Sequence, residues 1–233
     1  MRVIRTVISI GLGLGGVITT AVSGLSMQLT PGQRAAYFAG VALMALATLN
    51  SEFAKYSARK REQIEAILEL MVNMIIGDKM MRTTRGSGVR CSVAAPTPFP
   101  WSRLKLKYFV GNYSKSERRL SWYKGQGVIG RVFEDKRACV ADLTHLQGRT
   151  YAEVAASNEG SRMWGITEAH WEATRHVATV VAIPIHNKAG KVIGVLSLDD
   201  TNPRGRSLLL RDQERTIEIM AGFAQLIGQY NAL

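Results

Sequence analysis

Between Arg5 and Arg34 the chain carries no charged side chain, and no other feature restricts its folding as tightly. At about 1.5 Å per residue, the apolar centre Val7–Leu25 is long enough as a helix to cross a hydrocarbon layer about 30 Å thick. A second uncharged run, Ala35–Ser51, reaches only the lower limit for a span, with Arg34 and Lys55 able to snorkel to either surface. The pattern predicts a hairpin of two transmembrane helices joined by "QLTPGQR", in which Pro31 and Gly32 make the turn. A cleavable signal peptide and a buried hairpin of a soluble protein are the alternatives, and neither explains why a second apolar run follows at once. Arg2 and Arg5 precede the pair, Lys55, Arg59, Lys60 and Arg61 follow it, and only Arg34 lies between. The positive-inside rule then predicts a multi-pass protein of the inner membrane with both termini cytoplasmic.

Two glycine clusters, "GLGLGG" at 11–16 and "GQGVIG" at 125–130, satisfy the Gly-x-Gly-x-x-Gly pattern of a pyrophosphate cradle. That chemistry needs a preceding strand, a following helix and an acid about 20 positions on. After Gly11 no acid occurs until Glu52, so the first cluster reads as helix packing: Gly11 and Gly15, with Ala36 and Gly40, give the small-residue spacing that lets membrane helices approach. The second follows the polar "RRLSWYK" and leaves room for about two helical turns before the strand "ACVADL", too few to cross a sheet. Permissive backbone around a short helix accounts for it. Asp142 stands near the required distance beyond Gly125 and keeps a pyrophosphate site as the minor alternative.

Of the formal charge of +12, the surplus lies between Lys79 and Arg131, where twelve Lys or Arg face a single acid, Glu117. So lopsided a block is either a solvated face or a contact for something anionic, and Arg103, Lys105 and Lys107 are the candidate contacts with lipid head groups or an anionic ligand. Nucleic acid is not expected as a partner. Cys91 and Cys139 lack the spacing of a zinc or redox pair and read as small buried hydrophobes in a reducing compartment.

From Glu52 to Met81 a juxtamembrane linker helix places Ile64, Leu68, Met71 and Ile75 at spacings of four and three, a seam that serves either a core or a dimer. "RTTRGSGVR" breaks it. In "RLKLKYF", Arg103, Lys105 and Lys107 alternate with Leu104, Leu106 and Tyr108 as in a half-buried strand. These readings divide the chain into a hairpin (1–51), a linker helix (52–81) and a soluble domain (82–233).

The run "GQGVIGRVFEDKRACVADL", the hairpin "VVAIPIHNKAGKVIGVLSLDD" with its turn at Asn187–Gly190, and the closing amphipathic helix "LRDQERTIEIMAGFAQLIGQY" together resemble the GAF domain family over roughly residues 64–233. The resemblance implies an α+β fold: an antiparallel six-stranded sheet flanked by helices, with a pocket or its collapsed remnant on one face. It implies ligand binding or dimerisation without choosing the ligand. Specialised members fit poorly. Gly190 stands where the cyclic-nucleotide class has Phe, no Cys-His dipeptide exists to attach a tetrapyrrole, and Ile129 replaces the Cys of the methionine-sulfoxide-reducing class. His170 and His176 are spaced onto different helix faces, so no metal or catalytic set is expected. No motif identifies a cofactor.

In GAF domains the segment from Asp142 to His176 forms a lid. Here Tyr151, Trp164 and Trp171 are candidates to stack on a flat ligand, and Arg149 and Arg175, with Asp142, to bind its polar groups; core tryptophans and solvated arginines are the alternative. The expectation is a membrane-anchored sensor for a small anionic ligand, a nucleotide among the candidates, relaying occupancy to the membrane segment or a partner as a homodimer or higher homo-oligomer. Since no output domain follows Asp199, two further readings stand beside it. One is a ligand-triggered, membrane-disrupting effector similar to those of nucleotide-signalled bacterial defence systems. The other is a structural dimerisation module.

Overall fold

The computed structural model describes residues 31–77, 88–98, 103–157, 165–202 and 207–230. The chain divides into two compact units, Met1–Lys60 and Arg61–Leu233. Helix α1 spans Pro31–Ile76. Proline presets the φ of a first helical residue and has no N–H to leave unpaired there, so Pro31 opens a helix instead of making the expected turn. The second expected span and the linker helix are therefore parts of one element, which ends at Ile76 instead of Met81, with the Gly77 N–H donating to the Asn73 carbonyl at 2.9 Å. Among the described residues no helix is long and apolar enough to cross a membrane. The hairpin and its multi-pass layout thus lose their second helix, while Val7–Leu25 lies outside the described residues. In the first unit α1 exposes Leu43, Met44, Leu46 and Phe53.

In the second unit six strands, β1 (Val89–Pro96), β2 (Leu104–Val110), β3 (Ser121–Trp122), β4 (Cys139–Asp142), β5 (Thr179–His186) and β6 (Val192–Asp200), form one antiparallel sheet in the order β3-β2-β1-β6-β5-β4. Helix α2 (Gly127–Asp135) follows β3, α3 (Tyr151–Ala155) and α4 (Glu168–Thr174) lie between β4 and β5, and α5 (Leu208–Arg211) and α6 (Gln213–Gln229) close the domain. The α+β, six-stranded antiparallel architecture is the expected one.

Strand side chains alternate between faces. Val89, Cys91 and Val93 of β1 and Leu196 and Leu198 of β6 pack with Ile64, Leu68 and Met71 of α1 and with Met220, Ala224 and Ile227 of α6. The seam read from the sequence is thus core. Each such Val, Leu, Ile or Met side chain contributes about 1.5–3 kcal/mol through burial. Val180 and Ala182 of β5 and Val195 of β6 face the other way, onto Val128 and Val132 of α2. Covered on both faces, the central strands are apolar almost continuously. Residues that interrupt this pattern, Arg90, Ser92, Ser197 and Asp199, pair across β1 and β6 on the α2 face.

Candidate functional site

That face carries a cavity of about 320 Å³. Its floor is β1, β5 and β6, its near wall Val128 and Ile129 of α2, and its cover Leu143, Leu146, Ile166 and Trp171 of the segment between β4 and β5. The glycines of "GQGVIG" set the wall. A Cβ on Gly130 would collide with the Tyr123 carbonyl oxygen, so only glycine lets α2 turn this tightly beneath the cavity. The strand before it, β3, is two residues long and antiparallel to β2, which leaves no parallel βαβ unit for a pyrophosphate.

The cover is fixed from within. Thr150 caps α3 through a reciprocal pair with Glu153, and Thr167 caps α4 by accepting the His170 N–H, arrangements that satisfy otherwise orphaned amides. Leu146, Val154 and Trp171 form a small core with Tyr151 and Ile166 packed on it. The Trp171 indole N–H donates to the Arg149 carbonyl at 3.1 Å, and the Tyr151 hydroxyl to the Ile166 carbonyl at 3.2 Å. Trp171 thereby presents an immobilised aromatic wall to the cavity, with Trp122 of β3 contributing another.

Polar residues of the lining gather in one cluster. Arg90 of β1 stands directly across the strand pair from Asp199 of β6. Its Nη2 lies 2.5 Å from Glu117 Oε1 and 3.5 Å from Asp199 Oδ2, its Nη1 donates to the Asn112 carbonyl at 3.1 Å, and its guanidinium sits 4.2 Å from the Tyr113 ring centre. The Tyr113 hydroxyl donates to Asp199 Oδ2 at 3.1 Å, the Ser114 N–H donates to Glu117 Oε2 at 2.7 Å, and His176 Nε2 lies 3.4 Å from Glu117 Oε1. Arg90 and Glu117 side chains are 4% and 3% exposed, yet Arg90 Nε makes no hydrogen bond among the described residues. Gly111 makes the approach possible: its φ of +103° is closed to other residues without strain, and a Cβ there would lie 2.5 Å from the Arg90 Cβ.

Burial opposes ionisation of Glu117, but hydrogen bonds from His176, Arg90 and the Ser114 amide outweigh it and hold the carboxyl down to about 2. Asp199 goes the other way. Burial pushes its carboxyl up, Glu117's charge adds to the rise, and Arg90 and the Tyr113 hydroxyl offset only part of it. Burial and Asp199 together raise the Tyr113 hydroxyl well above its ordinary value. One guanidinium is shared by two buried carboxylates, and the network is short of positive charge.

Of the residues predicted from the sequence, the cavity brings together Asp142 and Trp171. Tyr151 supports the cover without lining the cavity. The Arg149 guanidinium donates to the Glu153 carbonyl at 3.0 Å, and Arg175, 52% exposed, pairs with Glu172 at 3.5 Å; neither lines the cavity. Trp164 lies outside the described residues. Of the basic trio, Lys105 and Lys107 lie on the less buried side of β2, whereas Arg103 stacks on Tyr123 and donates to its hydroxyl. Sequence reasoning missed Arg90, Tyr113, Glu117 and Asp199, and it missed β1 altogether, counting Arg90 with the surface charge. The available signals were the one acid within the basic block and an aspartate near the end of a mostly apolar strand. Among the described residues no group of three His, Cys, Asp or Glu is placed to hold a metal.

The GAF domain family model matches residues 79–230. Among solved structures, the NreA protein of Staphylococcus aureus, mutated in its nitrate-binding site, is 20% identical, with 65% of this chain and 89% of that chain covered at a TM-score of 0.40. The type II free methionine-R-sulfoxide reductase of Thermoplasma acidophilum is 12% identical over 74% and 92% at 0.46. The GAF domain region of a Geobacter sulfurreducens PCA protein is 13% identical over 76% and 97% at 0.48. No curated protein matches the chain.

Proposed function

The chain belongs to the GAF domain family, and from that premise we propose that it is a sensor whose small-molecule ligand occupies the cavity beneath α3 and α4. One observation carries the reading: a cavity of about 320 Å³ with apolar, aromatic walls keeps a buried ionic cluster in its lining. Pockets that recognise small molecules combine an apolar enclosure with a few fixed polar groups. The route for a signal is short. Arg90 and Asp199 alternate along β1 and β6 with Val89, Cys91 and Leu198, which pack against α1 on the opposite face. A ligand that repositions the cluster therefore acts on the surface that holds the Ile64–Ile76 part of α1.

A thermal-shift screen of metabolites and nucleotides on the full chain tests the reading. A ligand that binds only the folded form, at 100 times its dissociation constant, stabilises by about 2.7 kcal/mol, roughly 5–11 °C for a domain of this size. The shift is lost in Trp171→Ala if the cavity is the site, and a hit unaffected by that change refutes the assignment.

We further propose that the sensor is membrane-anchored, a reading supported by the uncharged run 6–33 and the exposed Leu43, Met44, Leu46 and Phe53 of the first unit. Full-length protein is expected in the membrane fraction after alkaline extraction, and the chain lacking residues 1–30 in the supernatant. Full-length protein in the supernatant removes the anchor and leaves the sensor.

A further inference from the structure

The charge of the lining points to one class of ligand. Glu117, Asp142 and Asp199 contribute three carboxylates to the cavity, and Arg90 is the only Lys or Arg among its described lining residues. Arg90 is already committed to Glu117 and Asp199. Apart from its Nε–H, which has no partner among the described residues, that guanidinium is engaged, so an anionic ligand has to compete with Glu117 at 2.5 Å for the rest of it, and every anion that binds adds negative charge to a lining with more carboxylates than guanidinium groups. A cationic ligand meets the opposite situation, because it supplies the positive charge the two buried carboxylates lack, in surroundings where water screens poorly. The aromatic walls act in the same direction, since the faces of Trp122 and Trp171 attract cations, while Tyr113 already carries the Arg90 guanidinium.

Resting on the sensor reading above, we propose that the cavity takes a ligand with a protonated nitrogen carried on a flat apolar body, an aromatic or arylalkyl amine or amidine. The nitrogen is held by the carboxylates of Glu117 and Asp199, and the body lies between the tryptophans. The acid-rich lining sits in a chain of net charge +12, and it calls for a ligand opposite in sign to the anionic one expected from the basic block. Of that block's described residues Arg90 is buried, whereas Lys105, Lys107, Lys115, Arg118, Arg119 and Lys124 are exposed, and salt screens exposed charge within about 8–10 Å.

Three probes of matched shape decide it: phenethylamine, 3-phenylpropionate and the neutral 2-phenylethanol, titrated into the full chain at fixed ionic strength and followed by tryptophan fluorescence. The amine is expected to bind at least tenfold more tightly than the other two. Its advantage is expected to fall at least threefold in Asp142→Asn, which leaves the Arg90 network intact, and further in Asp199→Asn. Equal binding of all three, or preference for the carboxylate, overturns the cation assignment while leaving a ligand cavity. Absence of binding by every probe, together with no hit in the metabolite screen, overturns the sensor reading itself.

Discussion

Replacing Arg90 with Met tests whether the buried cluster is held as described. Methionine fills much of the same volume and removes the charge, leaving Glu117 and Asp199 buried without the guanidinium that pairs with both. Glu117 is 3% exposed and cannot recover its solvation by turning outward. Removing one partner of a buried ion pair typically costs about 3–5 kcal/mol, because the other charge stays behind unpaired. At roughly 2–4 °C per kcal/mol for a domain of this length, the melting temperature should fall by about 6–20 °C. The companion change Glu117→Gln removes one of the stranded charges. The double variant should therefore be more stable than the sum of the single losses implies, with a coupling of about 1–3 kcal/mol. Urea unfolding of the full chain, read by tryptophan fluorescence, measures all four corners of the cycle. A loss below about 1 kcal/mol in Arg90→Met, or simple additivity, would refute the argument that this guanidinium holds two buried carboxylates.

Three further outcomes follow from the same structure. Glu117, held at about 2 against an ordinary 4.5, contributes about 3 kcal/mol that is complete above pH 4.5 and lost as pH falls toward 2. Asp199, pushed upward, contributes with the opposite sign and gains stability as pH falls through its raised value; urea midpoints from pH 7 to 2 should show the acid loss flattened in Glu117→Gln, and an unchanged profile would contradict it. Gly111→Ala should cost about 2 kcal/mol or more, since both φ and the Arg90 Cβ oppose it, whereas Gly190→Ala, at φ +74° with open space around it, should cost only about 1 kcal/mol. Leu68→Ala, which empties a fully buried site between α1 and the sheet, should cost about 2–5 kcal/mol in the same unfolding assay.

Where a pattern depends on neighbours close in sequence, the fold is legible. Alternation in "RLKLKYF" places Leu104 inward and Lys105 outward, and Asn187, whose side chain accepts the Ala189 and Lys191 amides, marks the turn of the β5–β6 hairpin. Pro31 is ambiguous from sequence because the φ that its ring imposes suits the corner of a turn and the first residue of a helix alike. Strand β1 escapes notice because "VRCSVAAP" is buried on both faces and has an arginine second in line. Only its pairing with β6 explains that arginine, and a register set between distant segments leaves no local trace. The candidate site divides along the same line. Trp171 stands out because an aromatic in a lid is conspicuous by itself, while Arg149 and Arg175 draw attention although partners three or four residues away already satisfy them. The charges that shape the cavity are the ones at odds with their surroundings: one glutamate in a run of cations, and Asp199 near the end of a mostly apolar strand. An ionised group stays buried only where something compensates it, so each of those misfits implies a partner, and Arg90 is the partner of both.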